Sequence, residues 1–399
     1  MAPWWASACA APLRHRLGRV PGPSETPLPA SSYDRRPVMS GERDRERVLV
    51  ARLDNLGDVL LSGPVVRAVA SSAEVIYLCG PAGRAAVELL PGVGRVITFE
   101  APWVGDDAPQ LDVSAVERLV RTVARLHPDK ALILTSFHQS PLPLALLLRI
   151  AGIGTLGATC EDFPGSLLDV RHPRLEGVHE VEQGLSLAAA LGYELPVGDD
   201  GALAVKRPGP FPMPRGERAY VVVHPGASVP ARALPRTLAI DVVEALVEDG
   251  FDVVVTGSPA EVSLAERVAG EPSAGVRVAA GTLDLRALSA VIQGAHAVVG
   301  GNTGPAHLAA AVGTPVVSVF PPTVEASRWG PWCVPSVVLG DQGIACAGCR
   351  ARRCPIQGQP CTGGVTAAEV VAAVRSLHRE DRSRRGVSGG PGGPVLTAP

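Results

Sequence analysis

Short apolar runs alternate along the chain with longer segments in which apolar residues are spaced three and four apart. In the first half, the runs RVLVARL, EVIYLCG, RVITFE and KALILTS are separated by VLLSGPVVRAVASS, GRAAVELL and DVSAVERLVRTVARLH. The runs predict strands and the intervening segments predict helices. Strands that alternate with helices usually form a parallel sheet covered on both faces, so a doubly wound α/β domain is predicted here.

The same alternation returns after a proline-rich stretch at 205–219, VKRPGPFPMPRGERA, which is predicted to be a linker. The sequence therefore predicts two doubly wound domains, 46–205 and 216–378, with a cleft between them. Residues 1–45 and 379–399 are rich in Pro, Ser, Gly and Arg without periodicity and are predicted to be disordered. Ligands of such sheets bind beyond the carboxyl ends of the strands, so the loops after strands are the candidate site.

Composition narrows the class of protein. Hydrophobic residues make up 46% of the chain and charged residues 19%, which is ordinary for a globular protein. A net charge of −2 and only 4% aromatic residues give no reason to expect a nucleic-acid partner. The apolar stretch SPLPLALLLRIAGIG is too short and interrupted for a membrane span, and it predicts a buried helix.

These features predict a cytoplasmic protein without a transmembrane segment, which leaves room for peripheral contact with a membrane. The N-terminal order of apolar residues followed by arginines is the wrong one for a secretory signal. Met39 directly precedes SGERDRERVLVARL and is an alternative translation start to Met1.

The segment VVGGNTGPAHLAAAVG has the pattern of a strand, a turn and a helix start. The pattern G-x-G-x-x-G occurs once, as GIGTLG at 152–157, but there it follows a predicted helix and not a strand, so it is not a dinucleotide fingerprint; no P-loop is present, and a phosphate would have to bind another way. Pro305 suits the first turn of a helix, and the N–H groups near Gly304 and His307 would then face a phosphate. The alternative is that Asn302 or Thr303 only caps the helix.

Two more loops after predicted strands carry polar candidates. In VVVHPGASVPARALP, Ser228 offers a hydroxyl, and Arg232 can contact a phosphate through two hydrogen bonds. In TGSPAEVSLAE, Glu261 can hold a ribose hydroxyl. The alternatives are a solvated arginine and an acid that stabilises a helix dipole.

The first loop, RLDNLGDVLLSGP, holds two acids where glycines are usual, although carboxylates repel phosphates. Asp54 is interpreted as a turn residue. For Asp58 two interpretations stay open, a helix N-cap and a general base.

Taken in order, RLDNLGDVLLSGPVVRA, EDFPGSLLDVRH, HEVEQGLSLAAALG, HPGAS-x-P-x-R-x-L-P, TG-x-x-x-E and NTGPAHLAAAVGTPVVSVF-x-P resemble glycosyltransferase family 9 over roughly residues 46–378. This family comprises the ADP-heptose:lipopolysaccharide heptosyltransferases. The resemblance implies the GT-B fold, which has two Rossmann-like domains. It also implies an inverting, metal-independent transfer from a nucleotide-sugar donor to a glycan or small-molecule acceptor.

The resemblance also implies roles for individual residues. The catalytic carboxylate of the family matches Asp58, with Gly57 on the acceptor-side loop. On the donor side, the resemblance implies that Ser228 offers a hydroxyl, Arg232 binds the phosphate and Glu261 holds the ribose. The adenine-side backbone then falls at Thr282 and Leu283, and the pyrophosphate motif comprises Thr303, Gly304 and His307.

Two positions depart from the family pattern. Asn302, counted with the donor-binding residues, stands where the family usually has Asp, which weakens the expectation of heptose while sparing the pyrophosphate site. Arg232 stands where lysine is more usual, so the charge is retained but the geometry differs. The alternatives to transfer are a GT-B sugar-nucleotide epimerase and a non-catalytic nucleotide-sugar-binding protein.

A cysteine cluster has no place in this chemistry. Cys346, Cys349, Cys354 and Cys361 have the spacing C-x2-C-x4-C-x6-C. The cluster could hold a structural metal, form a disulfide or remain as free thiols in an ordered loop. Free thiols are preferred, because no histidine or second separated pair of cysteines supports a zinc finger. No required cofactor is expected, and no DxD-type metal motif is present, since GDD at 105–107 and GDDG at 198–201 are typical of turns. His138 at a strand end is a weaker acceptor-side candidate.

Overall fold

The computed structural model describes residues 45–105, 108–136, 139–206, 218–271 and 275–377. His138, Met39, most of the predicted linker and nearly all of the predicted disordered termini lie outside the described residues. Contact clustering divides the chain into two compact units. The first holds the described residues up to Leu195 together with Ala204–Lys206, and the second holds Pro196–Leu203 and the described residues from Arg218 onward.

The elements of the first unit follow the predicted alternation of strands and helices. They are β1 Arg47–Arg52, α1 Leu56–Leu61, α2 Gly63–Ala70, β2 Glu74–Cys79, α3 Arg84–Leu89, β3 Val93–Thr98, α4 Val113–Leu126, β4 Lys130–Leu134, α5 Leu142–Ile150, β5 Thr155–Thr159, β6 Val170–His172 and α6 Glu180–Ala190.

The second unit repeats the alternation. Its elements are β7 Tyr220–His224, α7 Arg236–Glu248, β8 Asp252–Val255, α8 Val262–Ala269, β9 Val276–Val278, α9 Leu285–Gly294, β10 Ala297–Gly300, α10 Gly304–Val312, β11 Val316–Val319, α11 Ala326–Trp329, β12 Ser336–Leu339, α12 Pro360–Gly363 and α13 Ala367–Ser376. Single 3-10 turns at Pro230–Arg232 and Pro259–Glu261 follow β7 and β8.

The sheet of the first unit has six parallel strands in the order β3-β2-β1-β4-β5-β6. Strand β1 lies near its centre, and Arg52 at its end pairs with Cys79 on one side and Leu134 on the other. The order reverses between β1 and β4, which creates a crevice beyond their carboxyl ends. Strand β1 is covered on both faces, which explains why its sequence is apolar without interruption from Val48 to Ala51.

The sheet of the second unit has the order β12-β11-β10-β7-β8-β9, again all parallel. Here the reversal lies between β7 and β10, whose last residues, His224 and Gly300, are paired. The loops after β7 and β10 therefore flank the crevice of this unit. Helices α7 and α13 bury their apolar faces against the sheet, so the crevice is built on a packed core.

The apolar stretch that was predicted to be a buried helix forms α5. The helix is confirmed, but only one of its faces is buried. Leu144, Ala145 and Leu148 face the core, whereas Leu146 and Ile150 are exposed because they lie on the opposite side of a helix with 3.6 residues per turn. None of the helices in the described part of the chain is both long and apolar enough to cross a membrane.

Candidate active site

A buried arginine organises the crevice of the first unit. Arg52 Nε lies 2.7 Å from Asp54 Oδ2, Nη2 lies 3.1 Å from Asp58 Oδ1, and Nη1 lies 3.7 Å from Glu180 Oε2. Burial alone would lower the pKa of Arg52, but the carboxylates of Asp54, Asp58 and Glu180 together raise it above its usual value. The guanidinium therefore stays charged and holds three acids around one point.

Asp58 is the most open of these carboxylates, with 15% of its side chain exposed against 5% for Asp54 and 3% for Glu180. Its Oδ1 is held by Arg52, and its Oδ2 accepts a hydrogen bond of 3.2 Å from the backbone N–H of Asn55. The N-cap of α1 is Asn55, so the interpretation of Asp58 as the N-cap is wrong. Asp58 is the third helical residue, and its side chain accepts from the N-cap backbone in a capping box. Both oxygens are thus fixed in direction.

Asp54 is more than the turn residue that the sequence indicated. It is buried and accepts hydrogen bonds from Ser136 Oγ, at 3.1 Å, and from the side-chain amide of Gln139. Since Ser136 and Gln139 follow β4, Asp54 joins the two loops that flank the crevice. The sequence did not single out Ser136 or Glu180; the available signal was Arg52 at the end of a buried strand, because a buried charge needs partners.

A small cavity of about 20 Å³ adjoins Asp58. It is large enough for one water molecule or hydroxyl group. Its polar walls include Arg52, Glu180, Gln183 and Thr135, and the buried Thr135 Oγ1 has no hydrogen-bond partner among the described residues. A hydroxyl placed there would have a fixed carboxylate beside it.

In the second unit, the loops after β7 and β10 pack tightly together. A side chain at Gly301 would collide with the backbone oxygen of Arg232, so only glycine allows this approach. His307, in the first turns of α10, is buried nearby. Burial, and then the positive charge of Arg232, lowers the pKa of His307 to about 4, so its ring is neutral at pH 7.

Helix α10 begins in this crevice. Thr303 is its N-cap residue and Pro305 lies in its first turn, as the sequence predicted. The side chain of Thr303 does not cap the helix, and its buried Oγ1 has no hydrogen-bond partner among the described residues; the same is true of His307 Nδ1. A helix N-terminus, a nearby arginine and two unpartnered buried polar atoms together form an arrangement that can bind an anion.

Glu261 lies at the same edge of the sheet, after β8. Its carboxylate rests against Gly226, where any side chain would collide with it, and its Oε2 accepts a 2.7 Å hydrogen bond from Ser258 N. The hydrogen bond from Ser258 N matches the alternative interpretation of Glu261 as an acid that stabilises a helix start. Burial lowers the pKa of the adjacent His224, and Glu261 partly opposes that shift. One carboxylate thus joins the loops after β7 and β8.

The remaining donor-side candidates lie on the same edge. Ser228 is exposed in the loop after β7. Thr282 is exposed in the loop after β9 and donates its hydroxyl to Ala279 O at 3.1 Å, and Leu283 beside it is half-buried. Asn302 is buried next to Thr303. On the acceptor side, Gly57 is buried in the first turn of α1.

The four clustered cysteines are free thiols. Cys346 and Cys349 are exposed, Cys354 is half-buried and Cys361 is buried, and burial raises the pKa of Cys361. Within the described ranges, no three His, Cys, Asp or Glu side chains are arranged to hold a metal ion.

The sequence model of glycosyltransferase family 9 (heptosyltransferase) matches residues 137–359, more than half of the chain. The chain belongs to glycosyltransferase family 9. This glycosyltransferase therefore has all its donor-side candidates, from Ser228 to His307, inside the matched region, whereas Asp58 precedes it.

Curated relatives agree with the family. Lipopolysaccharide heptosyltransferase 1 of Pseudomonas aeruginosa is 29% identical over 330 residues, which cover 78% of this chain and 88% of the relative. Lipopolysaccharide heptosyltransferase 3 of Escherichia coli is 34% identical over 116 residues, and this match covers 28% of this chain and only 34% of that protein.

Solved structures confirm the predicted α/β GT-B fold class. A family 9 glycosyltransferase from Veillonella parvula has a TM-score of 0.68 at 16% identity and covers 84% of this chain and 98% of its own. The ADP-heptose lipopolysaccharide heptosyltransferase II of Escherichia coli has a TM-score of 0.63 at 19% identity, with coverage of 83% and 98%.

Proposed function

We propose that this glycosyltransferase moves a sugar from a nucleoside diphosphate to an acceptor hydroxyl, with inversion at the anomeric carbon and without a metal ion. The observation that carries the proposal is the anion site of the second unit. There the N-terminus of α10, Arg232 and the unpartnered atoms of Thr303 and His307 converge on one crevice.

The diphosphate of the donor would bind at this site. Arg232 and the helix N-terminus would take up the negative charge that grows on the leaving group, the task a metal ion has in other enzymes. Glu261 would accept hydrogen bonds from the ribose hydroxyls, and the loop with Thr282 and Leu283 would hold the base. The support is that all these residues lie on loops after neighbouring, in-register strands.

Asp58 would act as the general base. It would take the proton of the acceptor hydroxyl while that oxygen forms a bond to the anomeric carbon. The bond between this carbon and the diphosphate oxygen would break on the opposite face, and the leaving nucleoside diphosphate would carry away the electron pair. The support is that Asp58 is the most open carboxylate around Arg52 and that Arg52 and Asn55 N fix its direction.

The donor is proposed to be an ADP-sugar of the heptose type, and the acceptor a glycan of the cell envelope. This rests on the names of the relatives, which are lipopolysaccharide heptosyltransferases. Asn302 bears on the sugar, because a neutral amide replaces the acid that is usual there and can donate as well as accept hydrogen bonds.

A panel of ADP-, GDP-, UDP- and dTDP-sugars tests the proposal, with release of nucleoside diphosphate as the readout and a chelator in a parallel series. We expect ADP-sugars to be preferred, the chelator to have no effect, and the product to have the inverted anomeric configuration. Preference for another base contradicts the ADP assignment, and retention of configuration contradicts the mechanism. Isomerised donor formed without any acceptor would instead identify an epimerase.

A further inference from the structure

The turn that carries Arg232 is held from behind by the segment that carries the cysteines. The backbone N–H of Ala231 donates to Arg352 O at 2.9 Å, and the side-chain amide of Gln359 donates to Ala231 O at 2.8 Å. Both polar backbone groups of the residue just before Arg232 are therefore taken by residues more than a hundred positions later in the chain. On the other side, the backbone of Arg232 rests against Gly301.

Gln359 has an unusual backbone for its residue type. Its φ of 45° and ψ of 69° lie in the left-handed region, which favours glycine, and the preceding Gly358 also has a positive φ of 77°. Its backbone oxygen accepts hydrogen bonds from Thr362 N and Gly363 N, so the conformation starts the short helix α12. Glycine would serve that start with less strain; what glycine lacks is the amide that reaches Ala231.

The side-chain amide of Gln359 matters because the turn that carries Arg232 is only three residues long. The turn is one 3-10 turn, Pro230–Arg232, between β7 and α7. It borders a groove of about 820 Å³ whose walls include Pro230, Arg353 and Gln357. On the groove side, the two hydrogen bonds to Ala231 tie the backbone of the turn to the segment around Gln359.

We infer that Gln359 is a positioning residue for the donor site: its amide holds the Ala231 backbone so that Arg232 is presented to the diphosphate. The inference rests on the proposed function, in which Arg232 binds the diphosphate. Gln359 itself touches neither the donor nor the acceptor.

Gln359→Gly is the direct test, because it removes the amide and also removes the backbone strain. ADP is the probe, and its affinity is measured by calorimetry beside thermal unfolding of the same proteins. We expect ADP to bind about fivefold more weakly, the size of one neutral hydrogen bond, while the melting temperature stays equal or rises. The matched control is Gln357→Ala, which changes a glutamine on the wall of the same groove that has no hydrogen bond to the turn in the described part of the chain, and it should leave ADP affinity unchanged.

A double mutant separates positioning from a general structural effect. In an Arg232→Ala background, Gln359→Gly should have no further effect on ADP affinity, because the residue through which it acts is gone. Unchanged ADP affinity in Gln359→Gly alone overturns the inference. So does an equal loss in both backgrounds.

A second readout does not depend on the donor. The amide of Ala231 should exchange its hydrogen faster in Gln359→Gly than in the parent protein, since its hydrogen bond to Arg352 O belongs to the same contact. If Arg232→Ala leaves ADP binding intact, the proposed donor site is wrong, and the exchange of Ala231 alone then decides whether Gln359 holds the turn. Unchanged exchange at Ala231 contradicts the inference in either case.

Discussion

Asp54 lies in the loop after β1 and Asp58 in the first turn of α1, and their surroundings give them different chemistry. Asp54 is buried and accepts hydrogen bonds from Ser136 and Gln139 in addition to its ion pair with Arg52. Asp58 is held by Arg52 and Asn55 N and borders a cavity. Asp54 therefore ties two loops together, whereas Asp58 faces a space that a hydroxyl group could enter. Sequence spacing alone does not distinguish them, because the difference comes from residues after β4.

His307 makes stability depend on pH in a predictable way. Its pKa of about 4 lies below the usual 6.5, so protonation favours the unfolded chain. The contribution of neutral His307 is complete above pH 6.5 and is lost as the pH falls from 6.5 toward 4. Between pH 7.5 and pH 5 we expect the free energy of unfolding of the parent protein to fall by about 2 kcal/mol more than that of His307→Gln.

The measurement is urea unfolding of both proteins at the two pH values. The glutamine variant retains a polar side chain of similar reach without a titrating group. An identical pH dependence in both proteins would show that the ring is not held neutral by burial.

At the scale of elements, one guanidinium joins β1, the start of α1, the loop after β4 and the start of α6. The strands were predictable, since β1 and β7 are continuous apolar runs that only a covered parallel sheet accommodates. The contact between Arg52 and Glu180 was not predictable, because the two residues are 128 positions apart and no local sequence pattern indicates that they come together. In the second unit, the start of α10 was predictable from Pro305, whereas the contact of Gly301 with Arg232 required the fold.

Replacing Arg52 with methionine should leave three carboxylates close together without their cation. We expect a loss of about 3–5 kcal/mol in the free energy of unfolding at pH 7. The loss should be smaller near pH 5, where protonation relieves the repulsion between the acids.

The matched control is Arg84→Met, which breaks an exposed ion pair with Glu88 on α3. Its effect should stay within about 0.5 kcal/mol, as is usual for surface pairs. Equal effects of the two substitutions, measured by chemical denaturation, would mean that the Arg52 cluster does not stabilise the first unit.

At the scale of the whole molecule, both units use the same sheet order with a reversal beside the first strand of each. The first unit fills its crevice with an arginine and three acids, and the second fills the corresponding place with a helix N-terminus, an arginine and a neutral histidine. The two units thus place different charges at corresponding positions of the same sheet order, in keeping with the proposal of a base in the first unit and a diphosphate site in the second. The doubled architecture was predictable from the repeated alternation; the division of charge depends on buried contacts.

Hydrogen exchange with and without ADP tests this division. We expect ADP to slow exchange in the loops after β7 and β10, and Arg232→Ala to weaken that protection. Protection centred on the loop after β1 would show that ADP binds to the first unit, which contradicts the proposed diphosphate site in the second.

Asp58 is proposed to act as the base, with a chemical role and not only a structural one. Asp58→Asn keeps one oxygen, which can still accept from Asn55 N–H, while the amide nitrogen replaces the oxygen that faces Arg52, so α1 should still start at the same residue. The amide cannot take a proton, and the rate of transfer should fall by about 10²–10⁴-fold. The measurement is the single-turnover rate of sugar transfer together with the affinity for ADP. We expect a large loss of rate at unchanged ADP affinity; transfer at the parent rate would show that Asp58 is not the base.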